Sequence, residues 1–136
     1  MKDDQQILQQ KFLEFQLLQQ HLETIQQQIQ LLNQQNLELT KLKDSLSDLE
    51  NSKQGQKIFS QLGPGIFVKA DLKQIDEVLF NIGSDILVNK SIKDAISIFD
   101  SQQKDIIKSN MELEGQFRKI VSRVIELQED IQKLKK

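Results

Sequence analysis

Between Leu8 and Leu49 apolar residues recur at alternating spacings of three and four. Leu8, Phe15, Leu18, Leu22, Ile25, Ile29, Leu32, Leu39 and Leu46 occupy the a and d positions of one heptad frame, with Lys11, Asn36 and Lys43 as polar interruptions. A 3.5-residue repeat kept over so many heptads holds one seam toward a partner helix, so it predicts a coiled-coil helix over about 5–52. No Gly or Pro precedes Gly55. A second frame starts at Ile92 and runs through Ile96, Phe99, Ile106, Leu113, Phe117, Ile120, Val124, Leu127, Ile131 and Leu134, interrupted at Gln103 and Asn110. It predicts a second coiled-coil helix over about 92–135. Ser91, followed three residues later by Asp94, makes a start of capping-box type, and Lys133, Lys135 and Lys136 suit the negative end of the helix dipole.

Between these segments the period falls from 3.5 to 2. "KIFSQL" and "IFVKADL" are β-rich runs around Gly63-Pro64-Gly65, and "DEVLFNI" and "ILVNKS" flank Gly83-Ser84-Asp85. Each pair predicts a β-hairpin, the glycines supplying positive φ, with the two hairpins spanning about 56–90. Two isolated hairpins are marginal in water. Ile58, Phe59, Ile66, Phe67, Val68, Val78, Leu79, Phe80, Ile82, Ile86, Leu87 and Val88 on such short strands therefore ask for pairing with other chains, and the segment reads as a subunit-assembly platform.

The expected fold class is mostly α: a long antiparallel two-helix coiled coil, as one domain over 1–136, with two β-hairpins at its base that assemble with other chains. Placing Leu8 near Leu134 sets Leu32 beside Asn110 and Asn36 beside Ile106. Buried Asn penalises slipped pairings, although a slip of one heptad stays open. Off the seam, Ile7, Phe12, Leu13 and Leu17 make the start of the first helix apolar on several faces, which reads as a frayed end, as extra helix packing or as a binding surface. Leu31, Leu37, Leu42 and Leu49 also lie off the seam, the last two close enough to the hairpins to be covered by them.

Composition narrows the function. The 136 residues are 38% hydrophobic and 5% aromatic, with no Trp, Tyr or Cys, and the net charge of -2 offers no field for nucleic acid or anionic lipid. The absence of Cys excludes disulfides and thiolate metal sites. The opening "MKDDQQILQQ" lacks the pattern of a signal peptide and no apolar run approaches about 18 residues, so the expected location is cytoplasmic, with no membrane partner. His21, the single histidine, lies on the coil exterior and reads as a solvated residue. Gly63-Pro64-Gly65 is too short for a phosphate loop and lacks its Lys. Asp3, Asp4, Glu112 and Glu114 lie in charged helical stretches where solvation is the default. No enzyme, cofactor or metal is expected.

"LGPGIFVKADL", "VLFNIGSDILVNKSIKDAI" and the two flanking heptad segments together resemble the prefoldin α-type subunit across essentially the whole chain, two central hairpins marking the α type against one in the β type. The resemblance implies a hexamer of two α-type with four prefoldin β-type subunits, hairpins forming a double β-barrel from which coiled-coil arms extend. It implies an ATP-independent holdase that captures unfolded client proteins and delivers them to a group II chaperonin. Client binding then falls to the tips, here Ile7, Leu8, Phe12, Leu13, Phe15, Leu127, Ile131 and Leu134. The alternative is a structural or tethering coiled coil that docks one specific partner. The heavy Gln content of the first helix is no part of the family pattern.

Overall fold

A computed structural model describes residues 2–73 and 76–135. Two long helices, α1 (Lys2–Glu50) and α2 (Ile92–Lys135), enclose four strands in chain order: β1 (Lys57–Gly63), β2 (Ile66–Asp71), β3 (Glu77–Asn81) and β4 (Leu87–Ser91). The strands form two separate antiparallel hairpins, β1 with β2 and β3 with β4. Lys136 lies outside the described residues. The chain divides into a helical unit, formed by α1 up to Asn36 and α2 from Asp105, and a hairpin unit, Leu37–Lys104.

Within the helical unit the covered positions follow the heptad frame. On α1 they include Leu8, Lys11, Phe15, Leu18, Leu22, Ile25, Ile29, Leu32 and Asn36, and on α2 Ile106, Asn110, Leu113, Phe117, Ile120, Val124, Leu127 and Ile131. Ile25, Val124, Leu127 and Ile131 are the buried members, Ile25 and Leu127 fully so. Polar contacts across the seam fix the register that the heptads left open. Lys11 Nζ donates to Asp130 Oδ2 at 3.0 Å, and Asn110 Nδ2 to Asn33 Oδ1 at 2.9 Å. Both agree with Leu32 beside Asn110, and a one-heptad slip would separate both pairs by about 10 Å. The register has a cost, because Asn110 Oδ1 is buried with no hydrogen-bond partner.

In the hairpin unit the covered heptad positions are Leu39, Lys43 and Leu46 of α1 and Ile92, Ile96, Phe99 and Gln103 of α2. Here Lys43 pairs with Asp100 and donates to Gln103 Oε1 at 2.7 Å, while Gln103 Nε2 donates to Thr40 Oγ1 at 2.9 Å. Ser91 Oγ accepts from the Asp94 N–H at 3.1 Å, capping α2 as its sequence indicates.

The hairpins differ in how they are covered. In β3 and β4 burial alternates with period 2, so Val78, Phe80 and Val88 are half-buried while Leu79 and Leu87 are open. The cause is α2: the Phe80 ring lies 5.5 Å from that of Phe99. In β1 and β2 both faces are exposed, with only Gly63 and Ala70 partly covered. Leu49 lines a groove beneath this hairpin with Ile58, Phe59 and Leu72. Leu42 stays exposed, contrary to the expectation that the strands would cover it. In the second turn Gly83, Ser84 and Asp85 all have positive φ, so the left-handed backbone is not confined to the glycine. Asn81 Oδ1 accepts from the Gly83 N–H at 2.8 Å and holds its entry.

Candidate binding surfaces

The residues expected to bind clients divide into two groups. Leu127 and Ile131 point into the seam and are buried, and Leu8 and Phe15 are half-buried beside them, because all four are a or d positions facing the partner helix. These four hold the helices together and offer little surface. Ile7, Phe12, Leu13 and Leu134 are exposed, Leu13 to 58%. Lys135 Nζ lies 5.2 Å from the centroid of the Phe12 ring, a cation–π distance. Phe12, Phe15, Gln128, Ile131, Gln132 and Lys135 line a groove of about 340 Å³, wide enough for an apolar side chain.

Leu17 and Ile125 add to the exposed apolar surface of this unit, and Ile107 and Met111 lie exposed further along α2. Sequence reading passed over the three α2 residues. Testing every apolar residue of the second frame for a seam position, as for the first, would have found them.

Electrostatics pins the helices beside this surface. Arg123 donates from Nε to Glu14 Oε1 at 3.0 Å and from Nη2 to Glu14 Oε2 at 3.2 Å, a two-pronged contact, and also meets Glu126 at 3.3 Å. The Arg123 hydrogen bonds hold the Glu14 carboxyl below its ordinary range, and the Lys11 ammonium does the same for Asp130. A carboxylate with a depressed folded-state pKa stabilises the fold above its unfolded value and loses that effect as pH falls through the folded one. The thermal midpoint should therefore hold between about pH 8 and 5 and fall below about pH 4, less steeply in a Glu14→Gln, Asp130→Asn double variant. An unchanged acid slope in that variant, followed by circular dichroism, would remove these pairs from the account.

The assembly residues divide in the same way. Ile58, Phe59, Ile66, Phe67, Val68, Leu79, Ile82, Ile86 and Leu87 are exposed, whereas Val78, Phe80 and Val88 are half-buried, Phe80 beside Phe99 of α2. Leu62, which sequence reading left out, is the most exposed of the large apolar strand residues at 69%. Among the described residues no three His, Asp or Glu gather as metal ligands would, and no helix is long and apolar enough to cross a membrane.

Similarity to known proteins follows the same architecture. The family model of prefoldin subunits matches residues 18–136. Prefoldin subunit alpha of Methanobrevibacter smithii is 36% identical over 104 residues, covering 76% of this chain and 70% of that protein. Prefoldin subunit alpha of Thermofilum pendens is 26% identical over 118 residues, covering 87% and 92%. Among solved structures, filamentous PFD from Methanocaldococcus jannaschii superposes with a TM-score of 0.75 at 16% identity, over 83% of this chain and 93% of that one. Two heptad helices around two hairpins, a family match over most of the length and α-subunit relatives in archaea agree: the chain belongs to the prefoldin family, as a subunit of the archaeal-like α type.

Proposed function

We propose that this chain is the α subunit of a cytoplasmic, ATP-independent holdase, assembled as two α with four prefoldin β-type subunits, that captures unfolded proteins and delivers them to a group II chaperonin. Membership of the prefoldin family gives the chain a chaperone-type role. The observation that carries the capture reading is the exposed apolar group of Ile7, Phe12, Leu13 and Leu134 at one end of the helix pair, surface the seam leaves open. Such contacts are individually weak. Several arms holding one client raise the total affinity by effective concentration, and weak single contacts permit handover. The hairpins supply the assembly, since exposed apolar strands with unpaired edges are completed by strands of other subunits.

The test is suppression of aggregation of two unrelated unfolded proteins by the assembled complex without ATP. Replacing Phe12 and Leu13 by Ser should reduce suppression about tenfold or more while sedimentation shows the complex intact, because two exposed apolar anchors are lost per α arm and seam positions are untouched. Unchanged suppression would dismiss these residues as capture sites. Binding of one folded partner and no unfolded ones would replace capture by tethering.

A further inference from the structure

Within the helical unit α1 carries a second pattern, on the face away from α2. Leu13, Leu17, Thr24 and Leu31 lie at f and c positions of its heptads, and Gln6, Gln10, Gln20, Gln27 and Gln34 fill the places between them. Spacings of four and three therefore alternate without a break from Gln6 to Gln34. This is the repeat of a coiled-coil seam, set on the back of the first one. All of these residues are exposed, the three leucines to 56–58%, and none is charged. The same positions of α2 hold Asp105, Lys108, Glu112, Lys119, Glu126 and Glu129, the charged exterior of a helix that meets only water there.

A neutral face costs less to cover than a charged one, and Gln amides, which both donate and accept, can bond one another when water is removed. Thr24 Oγ1 already donates to the Gln20 carbonyl at 3.1 Å, so its hydroxyl is satisfied before any partner arrives. The partner that fits such a face is a copy of it. In an antiparallel pair of α1 helices with Leu13 of one against Leu31 of the other, Leu17 falls against Gln27, Gln20 against Thr24 and Gln10 against Gln34. Each match occurs twice about the two-fold axis. Beside them Glu14 meets Gln35 and Glu23 meets Gln16, so no like charges are opposed. Counted on along α1, a single helix over Lys2–Glu50, the same register brings Asp3 to Lys41 and Ile7 to Leu42. A slip of one heptad sets Leu13 against Glu38 in one direction and against Thr24 in the other. A parallel pair sets Asp3, Glu38 and Lys41 each against its own copy.

We propose that the outer face of α1 is a docking surface for the same face of a second copy of this chain, antiparallel, with Leu13 against Leu31. On the assembly proposed above, arms leaving one body run the same way, so the second copy belongs to another complex. The pairing itself does not depend on client capture.

The chain has no Cys, so single introduced thiols report the pairing directly. Complexes carrying Leu13→Cys and complexes carrying Leu31→Cys are prepared separately with the β-type partner. Under mild oxidation neither should crosslink with itself, because like positions of the two copies lie about 27 Å apart along the helices, whereas the mixture should yield a crosslinked pair of these chains. Self-crosslinking of each variant with no gain on mixing would mean a parallel pair and overturn the proposal. Leu17→Glu with Leu31→Glu, both exposed changes, should weaken association between complexes about tenfold or more in sedimentation velocity. Asp3→Lys should weaken it about threefold, and adding Lys41→Asp should restore it, a rescue that damage to the helix would not give. No mixed product and no concentration-dependent association would overturn the pairing while leaving the complex with β-type subunits standing. Failure to join the β-type partner would count against that assembly instead, and the same mixing is then read on this chain alone.

Discussion

Replacing Phe67 and Leu79 by Asp should leave the helices folded and the chain unable to assemble. Both side chains are more than half exposed, and neither supports the packing of α2, which rests on Phe80 of the opposite strand face. The β1–β2 hairpin exposes every large apolar side chain on its two strands, and a two-stranded ribbon in that condition is marginal alone. On the assembly proposed above its order comes from apolar partners, and an aspartate in such an interface costs several kcal/mol for each unpaired charge buried. Subunit affinity should fall by about a thousandfold or more, which sedimentation velocity with the β-type partner would register as a shift to monomer. Helical circular dichroism should change little. A complex of unchanged size would mean that assembly uses other surfaces.

Leu127→Ala should be the most damaging single truncation in the helical unit. Leu127 is fully buried, near Val124 and Ile131 on its own helix, and Leu-to-Ala changes at such sites cost about 2–5 kcal/mol. For a unit of this size each kcal/mol lowers the thermal midpoint by about 4–8 °C, so a fall of about 10 °C or more is expected. Ile125→Ala, two residues away and half exposed, should cost under about 0.5 kcal/mol. The pair measures the seam directly: equal losses in thermal unfolding would show that the buried face of α2 has been assigned wrongly.

The seam and both hairpins were legible in the sequence because each is a periodic signal, 3.5 for the helices and 2 for the strands. The register was not, since a slip of seven residues leaves every Leu and Ile in a valid layer. What excludes the slip is particular and polar: Lys11 with Asp130, Glu14 with Arg123 and Asn33 with Asn110. Nor could periodicity say which face of β3 meets α2, because Val78 and Phe80 on one side and Leu79 on the other are equally apolar. The expected client-binding residues differ in exposure for a related reason. Leu127 and Ile131 lie at the right end of the helix, but their a and d positions commit them to the seam.

The cross-helix contacts also carry a direction in time. Lys43 and Gln103 are 60 residues apart in sequence, Asn33 and Asn110 77, Glu14 and Arg123 109, and Lys11 and Asp130 119. The first of these closes the shortest loop, and each later pair adds only a small increment of closure entropy once its predecessor has formed. Pairing that begins at the hairpins and runs outward like a zip is therefore the inexpensive route, and α1 must wait for the second half of the chain to be synthesised before its seam is covered. Fraying runs the same path backwards. The layers around Lys11 and Asp130 are last to close and first to part on this route, so the residues nearest the exposed Phe12 and Leu13 have the most freedom to adjust.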